Sequence, residues 1–462
     1  MALNVFNTLK GEKEGFAPLQ TGKVGMYVCG ITPYDYCHLG HGRCYTAFDT
    51  IRRYLLHLGF EVKFVQNFTD IDDKIIRRAS EQKKDPLELS AFFSEEYFKE
   101  ADALGIMRAG VYPKVTQHIP EIISLVEKLV AKGFAYAAGD GVYFDVAKFP
   151  GYGKLSRQPL EKLVAGARVA PGDFKHSPAD FAIWKNAKEG EPFWESPWGR
   201  GRPGWHIECS AMSSKYLGET FDIHGGGQDL VFPHHEDEIA QSEAANGKPF
   251  VKYWLHNGFI IVGKDKMAKS LGNFVTLRQA IEKHGGQVLR FFYLQSHYRE
   301  PVDAGEEKIA KAAESLQKLL DAIALLEDAA KKGGAAECKE ISAIEAKFNA
   351  AMDDDFNTPL AISAVFELKD LAHKSLAGNS EVPPSAVLGS MKKLLGVLGV
   401  LDAKPKEAGI SQGEIETAIA QREDAKKAKD FGKADGIRKM LAEKGVLLED
   451  SAGGAVRWKR KA

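Results

Sequence analysis

The segment from Lys23 to Thr69 limits the possible folds of this chain more than any other. "KVGMYVCG" alternates apolar residues with others up to Cys29, as a strand does. The loop "ITPYDYCHLGHG" follows, and "RCYTAFDTIRRYLLHLG" then carries apolar residues at helical spacing and stops at Gly59, a C-terminal helix signal. "EVKFVQNFT" predicts the next strand. Strand, glycine-containing loop, helix and strand in that order make a parallel βαβ unit, the building block of nucleotide-binding α/β sheets. Neither a GxGxxG run nor a Walker A sequence is present, which disfavours a dinucleotide fold or a P-loop.

The rest of the chain divides around that unit. Residues 121–205 mix short helical patterns with "GDGVYFDV" and the Pro-, Gly- and Trp-rich "EPFWESPWGRGRPGW", and read as an insertion rather than sheet core. "YLGETFDIHGGGQDL" returns to a strand followed by a glycine loop. The expected organisation is a Rossmann-like parallel-sheet α/β catalytic domain over 1–120 and 206–260, interrupted by that insertion. A loop and stem-contact region follows at 261–302. The Ala-, Leu-, Lys- and Glu-rich stretch 303–402 predicts antiparallel helices of a bundle, and a small module occupies 403–462.

Charge limits the partners. Sixty-two Lys and Arg against 63 Asp and Glu leave a net charge of -1, so any nucleic-acid surface must be local. In 403–462 the balance is locally basic, with the end "RWKRKA" placing Trp458 among cations. Such a tail fits stacking on unpaired RNA bases with phosphate contacts, or equally a solvated basic end. The N-terminus lacks the pattern of a secretory signal and no apolar run reaches membrane-spanning length, so a cytoplasmic protein with no membrane partner is expected. Five thinly spread cysteines fit reduced thiols better than a disulfide framework.

Three short stretches carry chemistry. In "VFPHHEDEIA", His234 and Glu238 are four apart and would share a helix face where an imidazole and a carboxylate meet one ion; the alternative is an acidic helix N-terminus. In "CHLGH", His38 and His41 precede a helix whose backbone amides suit nucleotide phosphates, against a chance loop. In "KMAKS", Lys266 and Lys269 flank a turn able to close on a triphosphate, against a solvated basic loop.

An HxGH loop after the first strand and a KMxKS loop after the last resemble the paired signatures of class I aminoacyl-tRNA synthetases. "MYVCGITPYDYCHLGHGR", "GRPGWHIECSAM", "DIHGGGQDLVFPHHEDEIAQSEA" and "MDDDFNTPLA" extend the resemblance, through the whole chain, to the cysteinyl-tRNA synthetase family. Leu39 and Ala268 depart from the commonest forms of the two signatures without removing a phosphate-binding group.

The resemblance implies two steps: cysteine and ATP give cysteinyl-adenylate and pyrophosphate, and the cysteinyl group then passes to the 3′ end of its tRNA. It implies one Zn²⁺ per chain on Cys29, Cys209, His234 and Glu238, selecting the substrate thiolate, and Mg²⁺ with ATP. His38 and His41 would touch phosphates, and Lys266 and Lys269 the charge that develops on them. Gly30, Thr32, Gly40, Gly226, Gly227, Asp229 and Lys269 would hold the nucleotide, Asp229 through its ribose. Cys29, Trp205 and His224 would border the cysteine. His235, Glu236 and Asp237 would be solvated or support the ligands, and Cys37, Cys44 and Cys338 would have no chemical role. The terminal module would read the anticodon of a tRNA bound by a monomer. Two alternatives share the motifs: an ATP-dependent ligase joining cysteine to an amino sugar, against which the long C-terminal region speaks, and an inactive zinc- or RNA-binding paralogue, which would have no reason to keep both signatures.

Overall fold

A computed structural model describes residues 2–158, 174–262, 265–266, 275–330, 338–406, 412–450 and 456–460. An antiparallel hairpin of β1 (Asn4–Asn7) and β2 (Glu12–Gly15) precedes the expected unit of β3 (Lys23–Ile31), α1 (Leu39–His57) and β4 (Glu61–Phe68). β3 and β4 pair in parallel from Lys23↔Glu61 to Ile31↔Phe68. Helices α2 (Asp73–Gln82), α3 (Pro86–Ala103) and α4 (Ile119–Ala131) follow. After them come β5 (Ala135–Ala138), β6 (Gly141–Phe144), β7 (Phe181–Asn186) and β8 (Gly201–Pro203). Then α5 (Trp205–Leu217), β9 (Phe221–Gly227), α6 (Glu236–Asn246) and β10 (Val251–Asn257) complete a four-stranded parallel sheet of order β10-β9-β3-β4.

That order fixes where a ligand can bind. The chain first crosses from β3 to β4 on one side, and later adds β9 on the other. A crevice therefore opens at the carboxyl ends of β3 and β9, where connections leave in opposite directions. The alternation read in β3 does not mark a solvated face: Met26, Tyr27 and Val28 are all fully buried. Helices cover both faces of a parallel sheet, and the strand is buried on both sides from Met26 to Cys29 for that reason.

The insertion has a sheet of its own, which its short, broken strands concealed in the sequence. β5 to β8 pair antiparallel in sequential order. Their core, with Val142, Phe144, Ile183 and Trp184, merges with Ile207 and Met212 of α5 and Ala240 and Ala244 of α6. The insertion thus braces the two helices that lead into the crevice.

"HNGFIIVG" reads as one strand but forms parts of two. β10 ends at Asn257, and β11 (Ile260–Val262) belongs to a separate small sheet with β12 (Asp265–Lys266) and β13 (Val302–Asp303). At Gly258 between them, a Cβ would stand 2.5 Å from the carbonyl oxygens of Arg299 and Glu300, so only glycine lets the chain cross there. Between β12 and β13 lie α7 (Leu277–His284) and α8 (Gly286–Leu294). α8 locks onto α1: buried Arg290 donates to Asp49 at 2.5 Å and to the carbonyls of Leu398 and Leu104, while Arg43 donates to the carbonyls of Tyr293, His297 and Glu300.

Four helices follow, as the composition predicts: α9 (Glu306–Ala330), α10 (Lys339–Asp353), α11 (Thr358–Leu376) and α12 (Pro384–Val397). They share one core with α1 and α8. The last module pairs α13 (Gln412–Lys427) and α14 (Phe431–Glu443) with a hairpin of β14 (Val446–Asp450) and β15 (Val456–Arg460), around Ile415, Leu441, Val446 and Leu448. Two details differ from expectation. Trp458 is partly buried against that small core instead of standing free among the cations. Lys404, inside the module by the expected boundary at 403, is tied to the body: its N–H donates to the Ala103 carbonyl and its carbonyl accepts from the Gln287 N–H.

Candidate active site

β3 delivers Cys29 to the crevice floor. Its neighbour Gly30 is where β3 crowds β4: a Cβ there would fall 1.5 Å from the Asn67 carbonyl, and the backbone N–H of Gly30 instead donates to the Asn67 side chain at 2.9 Å. α5, starting at Trp205, brings Cys209 to the same point. The turn before α6 brings His234, and the first turn of α6 brings Glu238. The Cys29 and Cys209 sulfurs are 3.9 Å apart, Cys29 Sγ is 3.7 Å from Glu238 Oε1, and His234 Nε2 is 3.0 Å from that oxygen. All four donor atoms lie within 4.8 Å of one another and are buried.

This set fits zinc. A ~2.3 Å Zn–S bond at the tetrahedral angle separates two sulfurs by ~3.7 Å, close to the spacing present, and two thiolates with an imidazole and a carboxylate suit a borderline-soft ion. A second set, Cys29, His224, His235 and Glu238, is as compact. It has one thiol, one soft donor fewer than the first set. The two-thiol set is the better metal site.

The electrostatics of the cluster are strongly coupled. Burial pushes the Glu238 carboxyl up, but the His224 and His234 imidazoles outweigh it and bring it down to about 2. Burial opposes charge on His234, yet Glu238 and Cys209 raise it to about 10. The hydrogen bond from Cys29 lowers the Cys209 thiol to about 6 against the effect of burial, while burial together with Cys209 drives Cys29 well up. These directions favour charge on Cys209, Glu238 and His234, and a cation bound by them would displace the proton from the His234 ring.

A supporting layer holds these donors. His206 Nδ1 is 2.9 Å from His234 Nδ1, His206 Nε2 is 3.3 Å from Asp237 Oδ2, and the Tyr152 hydroxyl donates to Asp237 at 2.6 Å. Glu236 accepts from the backbone amides of Leu155 and Ser156, and His235 Nδ1 meets His256 Nε2 at 2.8 Å. His235, Glu236 and Asp237, for which solvation was one expectation, are therefore buried; α6 runs under the insertion instead of along the surface. His206, His256 and Tyr152 escaped the sequence reading because their partners lie 21 to 85 residues away. The adjacent "GWHIEC" and "HHEDE" runs are the only sequence signal for them.

Cys29, Cys209 and His234 form the inner end of a cavity of about 400 Å³, while Glu238 is fully buried and does not line it. Trp205, stacked on His234 with ring centroids 4.3 Å apart, forms one wall. At the outer end are Gly30, Thr32, Gly40, His38, His41, Gly227 and Asp229. His38 caps α1, the rings of His38 and His41 stack at 3.8 Å, and the His38 backbone N–H donates to His41 Nδ1 at 3.2 Å. Cys44, expected to have no role, also lines the cavity, as do Tyr34, Asn67, Thr69 and Lys74, which the motifs did not mark.

Two residues take other places than expected. His224, fully buried and stacked on Trp254, stands behind Glu238 rather than in the cavity wall. Gly226 faces His235 and Leu230, each within 2.9 Å of where its Cβ would be, so its close approach is to the protein's own side chains. Lys266 ends β12, its backbone opposite Ile261. Lys269 lies outside the described residues. Where the chain resumes, Thr276 pairs with His38 and the Leu277 N–H donates to the Cys37 carbonyl at 2.7 Å. The exit of the KMAKS segment is thus stitched to the entrance of the HLGH loop.

Comparison with known proteins agrees with this arrangement. The family described as the tRNA synthetases class I (C) catalytic domain matches residues 15–314, and the DALR domain matches 347–402, from within α10 to just past the end of α12. A cysteine–tRNA ligase of Geobacter sp. (strain M21) is 48% identical with 100% of each chain covered, and one of Thermococcus onnurineus (strain NA1) is 51% identical over 100% of this chain and 99% of the relative. The methionyl-tRNA synthetase of Mycobacterium tuberculosis in complex with methionyl-adenylate shares the fold, with a TM-score of 0.62 at 15% identity over 84% of this chain and 92% of that one. The amino-sugar ligase and inactive-paralogue alternatives find no support in these relatives. Fold, full-length similarity and catalytic-domain match agree: the chain belongs to the cysteine–tRNA ligase family of class I aminoacyl-tRNA synthetases.

Proposed function

We propose that this chain activates L-cysteine with ATP, transfers it to the 3′ end of its tRNA, and selects it through a zinc ion held by Cys29, Cys209, His234 and Glu238. The observation that carries the proposal is the convergence of those four donors, three of which, Cys29, Cys209 and His234, line the cavity that His38, His41 and Asp229 also line. Zinc bound there supplies a borderline-soft Lewis acid that takes a thiolate in preference to an alcohol.

The chain's own residues do the rest. In activation, a carboxylate oxygen of cysteine attacks the α-phosphorus of ATP as the bond to pyrophosphate breaks. The nucleophile is already ionised, so positioning and charge stabilisation suffice. His38 and His41, fixed at the start of α1, contact the phosphates, and Mg²⁺ accompanies ATP. Asp229 accepts from the ribose hydroxyls, beside Gly30, Thr32, Gly40 and Gly227. Lys266 and Lys269 neutralise the departing pyrophosphate; their assignment rests on the motif and on the stitching of Thr276 to His38. Trp205 walls the cysteine pocket, and His224 orients Glu238. The module after residue 406 reads the anticodon.

Purified protein should carry one equivalent of zinc, and Cys209→Ser should carry much less while keeping its fold by circular dichroism. A wild-type protein with no tightly bound metal, active with cysteine in the presence of a strong chelator, would overturn the zinc assignment.

A further inference from the structure

The chain as a whole carries no excess positive charge, so the cations that receive a polyanion must be gathered locally. One such group borders the cavity and has no part in the functions assigned above. The stretch from Asp72 to Lys84, "DDKIIRRASEQKK", holds five cations against three carboxylates. Within α2, Lys74, Arg77 and Arg78 fall at i, i+3 and i+4, on one face of the helix, while Ile75 and Ala79 are fully buried on the other. Of the three acids, Asp72 caps the helix through the Lys74 amide, Asp73 is taken up by Lys185 and Arg202, and Glu81 pairs with Arg78 at 3.5 Å. Among the described residues, no carboxylate stands within ion-pair distance of Lys74, Arg77, Lys83 or Lys84.

Geometry ties this face to the cavity mouth. Lys74 and Tyr34 both line the cavity, and the Lys74 ammonium sits 5.7 Å from the Tyr34 ring centroid. Arg78 reaches Asp35 at 4.0 Å. The loop from Tyr34 to Tyr36, which leads into the HLGH helix, therefore runs along the cationic face of α2. Tyr34 and Tyr36 rest on a small core of Ile75, Ala79, Leu89 and Phe93, which holds their rings in place. Aromatic rings beside a row of cations match a single-stranded nucleic acid, whose bases stack while its phosphates follow the charges.

We propose that the α2 face, with Tyr34, receives the single-stranded 3′ end of the tRNA as it enters the cavity, Arg77 binding a phosphate outside the mouth and Tyr34 stacking a terminal base. The inference rests on the tRNA-charging function proposed above. A duplex would be met by cations alone, and a protein partner would not need the row to end at the cavity where the acceptor reacts.

The test uses Arg77, which is exposed and does not line the cavity. In Arg77→Gln, cysteine-dependent ATP–pyrophosphate exchange should stay within about twofold of wild type, which also shows that the protein is folded. kcat/KM for tRNA in charging should fall roughly tenfold, Arg77→Lys should recover most of it, and the salt slope of tRNA binding should flatten by ~0.7, the value for one phosphate contact on a single strand. With tRNA lacking its 3′-terminal single-stranded nucleotides, variant and wild type should bind equally. Unchanged charging by Arg77→Gln overturns the proposal, and so does an equal binding defect toward truncated tRNA, which would put the contact elsewhere on the tRNA. A wild-type protein that performs exchange but charges no tRNA would instead overturn the underlying function.

Discussion

The pairing of His234 with Glu238 was legible because four residues of helix spacing bring an imidazole and a carboxylate together; their atoms indeed stand 3.0 Å apart. The thiols that complete the set, Cys29 and Cys209, are 180 residues apart, and no local pattern joins them; only the family resemblance could. Supporting side chains such as His206 and His256 were invisible for the same reason, since a lone histidine has no period. Lys269 rests on the motif and on the pairing of Thr276 with His38, and its role is open to direct measurement. Lys269→Ala should slow pyrophosphate exchange far more than it weakens cysteine binding, because the charge it meets develops only as the phosphates separate. Losing one preorganised electrostatic partner costs ~2.7–4 kcal/mol of transition-state stabilisation. Exchange within about threefold of wild type, under ~1 kcal/mol, would show that the lysine contributes little to the chemistry.

Among elements, the βαβ unit and the bundle were readable from period and propensity, whereas the insertion's sheet and the break at Gly258 were not. Strands of three to six residues give too few alternations to register, and the break depends on backbone from residues 299 and 300 that approaches only in the folded state. Another feature lost to the sequence is the clamp that seats α1, which His38 caps and whose first turn carries His41. Asp49, Arg290 and Arg53 form a largely buried triad: Asp49 meets Arg290 at 2.5 Å and Arg53 at 2.7 Å. Burial alone would raise the Asp49 carboxyl, but the two guanidinium groups outweigh it and hold it below the usual range. Asp49→Asn should therefore destabilise the protein by about 3–5 kcal/mol at pH 7, because it leaves Arg290 buried without its counter-charge. The sign of the pH effect follows from the lowered pKa. The pair's contribution is complete above the unfolded carboxyl value of ~3.9 and fades as pH falls through the folded one. Urea midpoints of wild type and variant should differ widely at pH 7, and the gap should narrow progressively as pH falls below ~3.9; a gap that stays constant with pH would mean that the pair's charge does not stabilise the fold.

On the scale of the whole molecule, the proposed choice of amino acid and the proposed reading of the anticodon fall to separate bodies. The module after residue 406 has its own core, and none of its described residues lines the cavity. Removing residues 407–462 should leave cysteine activation within about twofold of wild type and sharply reduce charging of tRNA, as measured by exchange and charging on the same preparation; full charging by the truncated protein would deny the module its anticodon role. The amino acid, by contrast, must be chosen inside the cavity. Serine differs from cysteine by an oxygen in place of sulfur, and an apolar pocket discriminates poorly between side chains so alike in shape. A bound zinc ion separates them by ligand softness, and each tenfold of preference needs only ~1.4 kcal/mol. The decisive measurement is the cysteine-over-serine ratio of ATP–pyrophosphate exchange, taken together with bound metal, in wild type, Cys209→Ser and His234→Ala. Loss of zinc should collapse the ratio by several decades, mainly through lost cysteine activation. A variant that has lost its zinc and still prefers cysteine by the wild-type factor would contradict the account, leaving the metal a structural clip and the selectivity to Trp205 and the rest of the cavity wall.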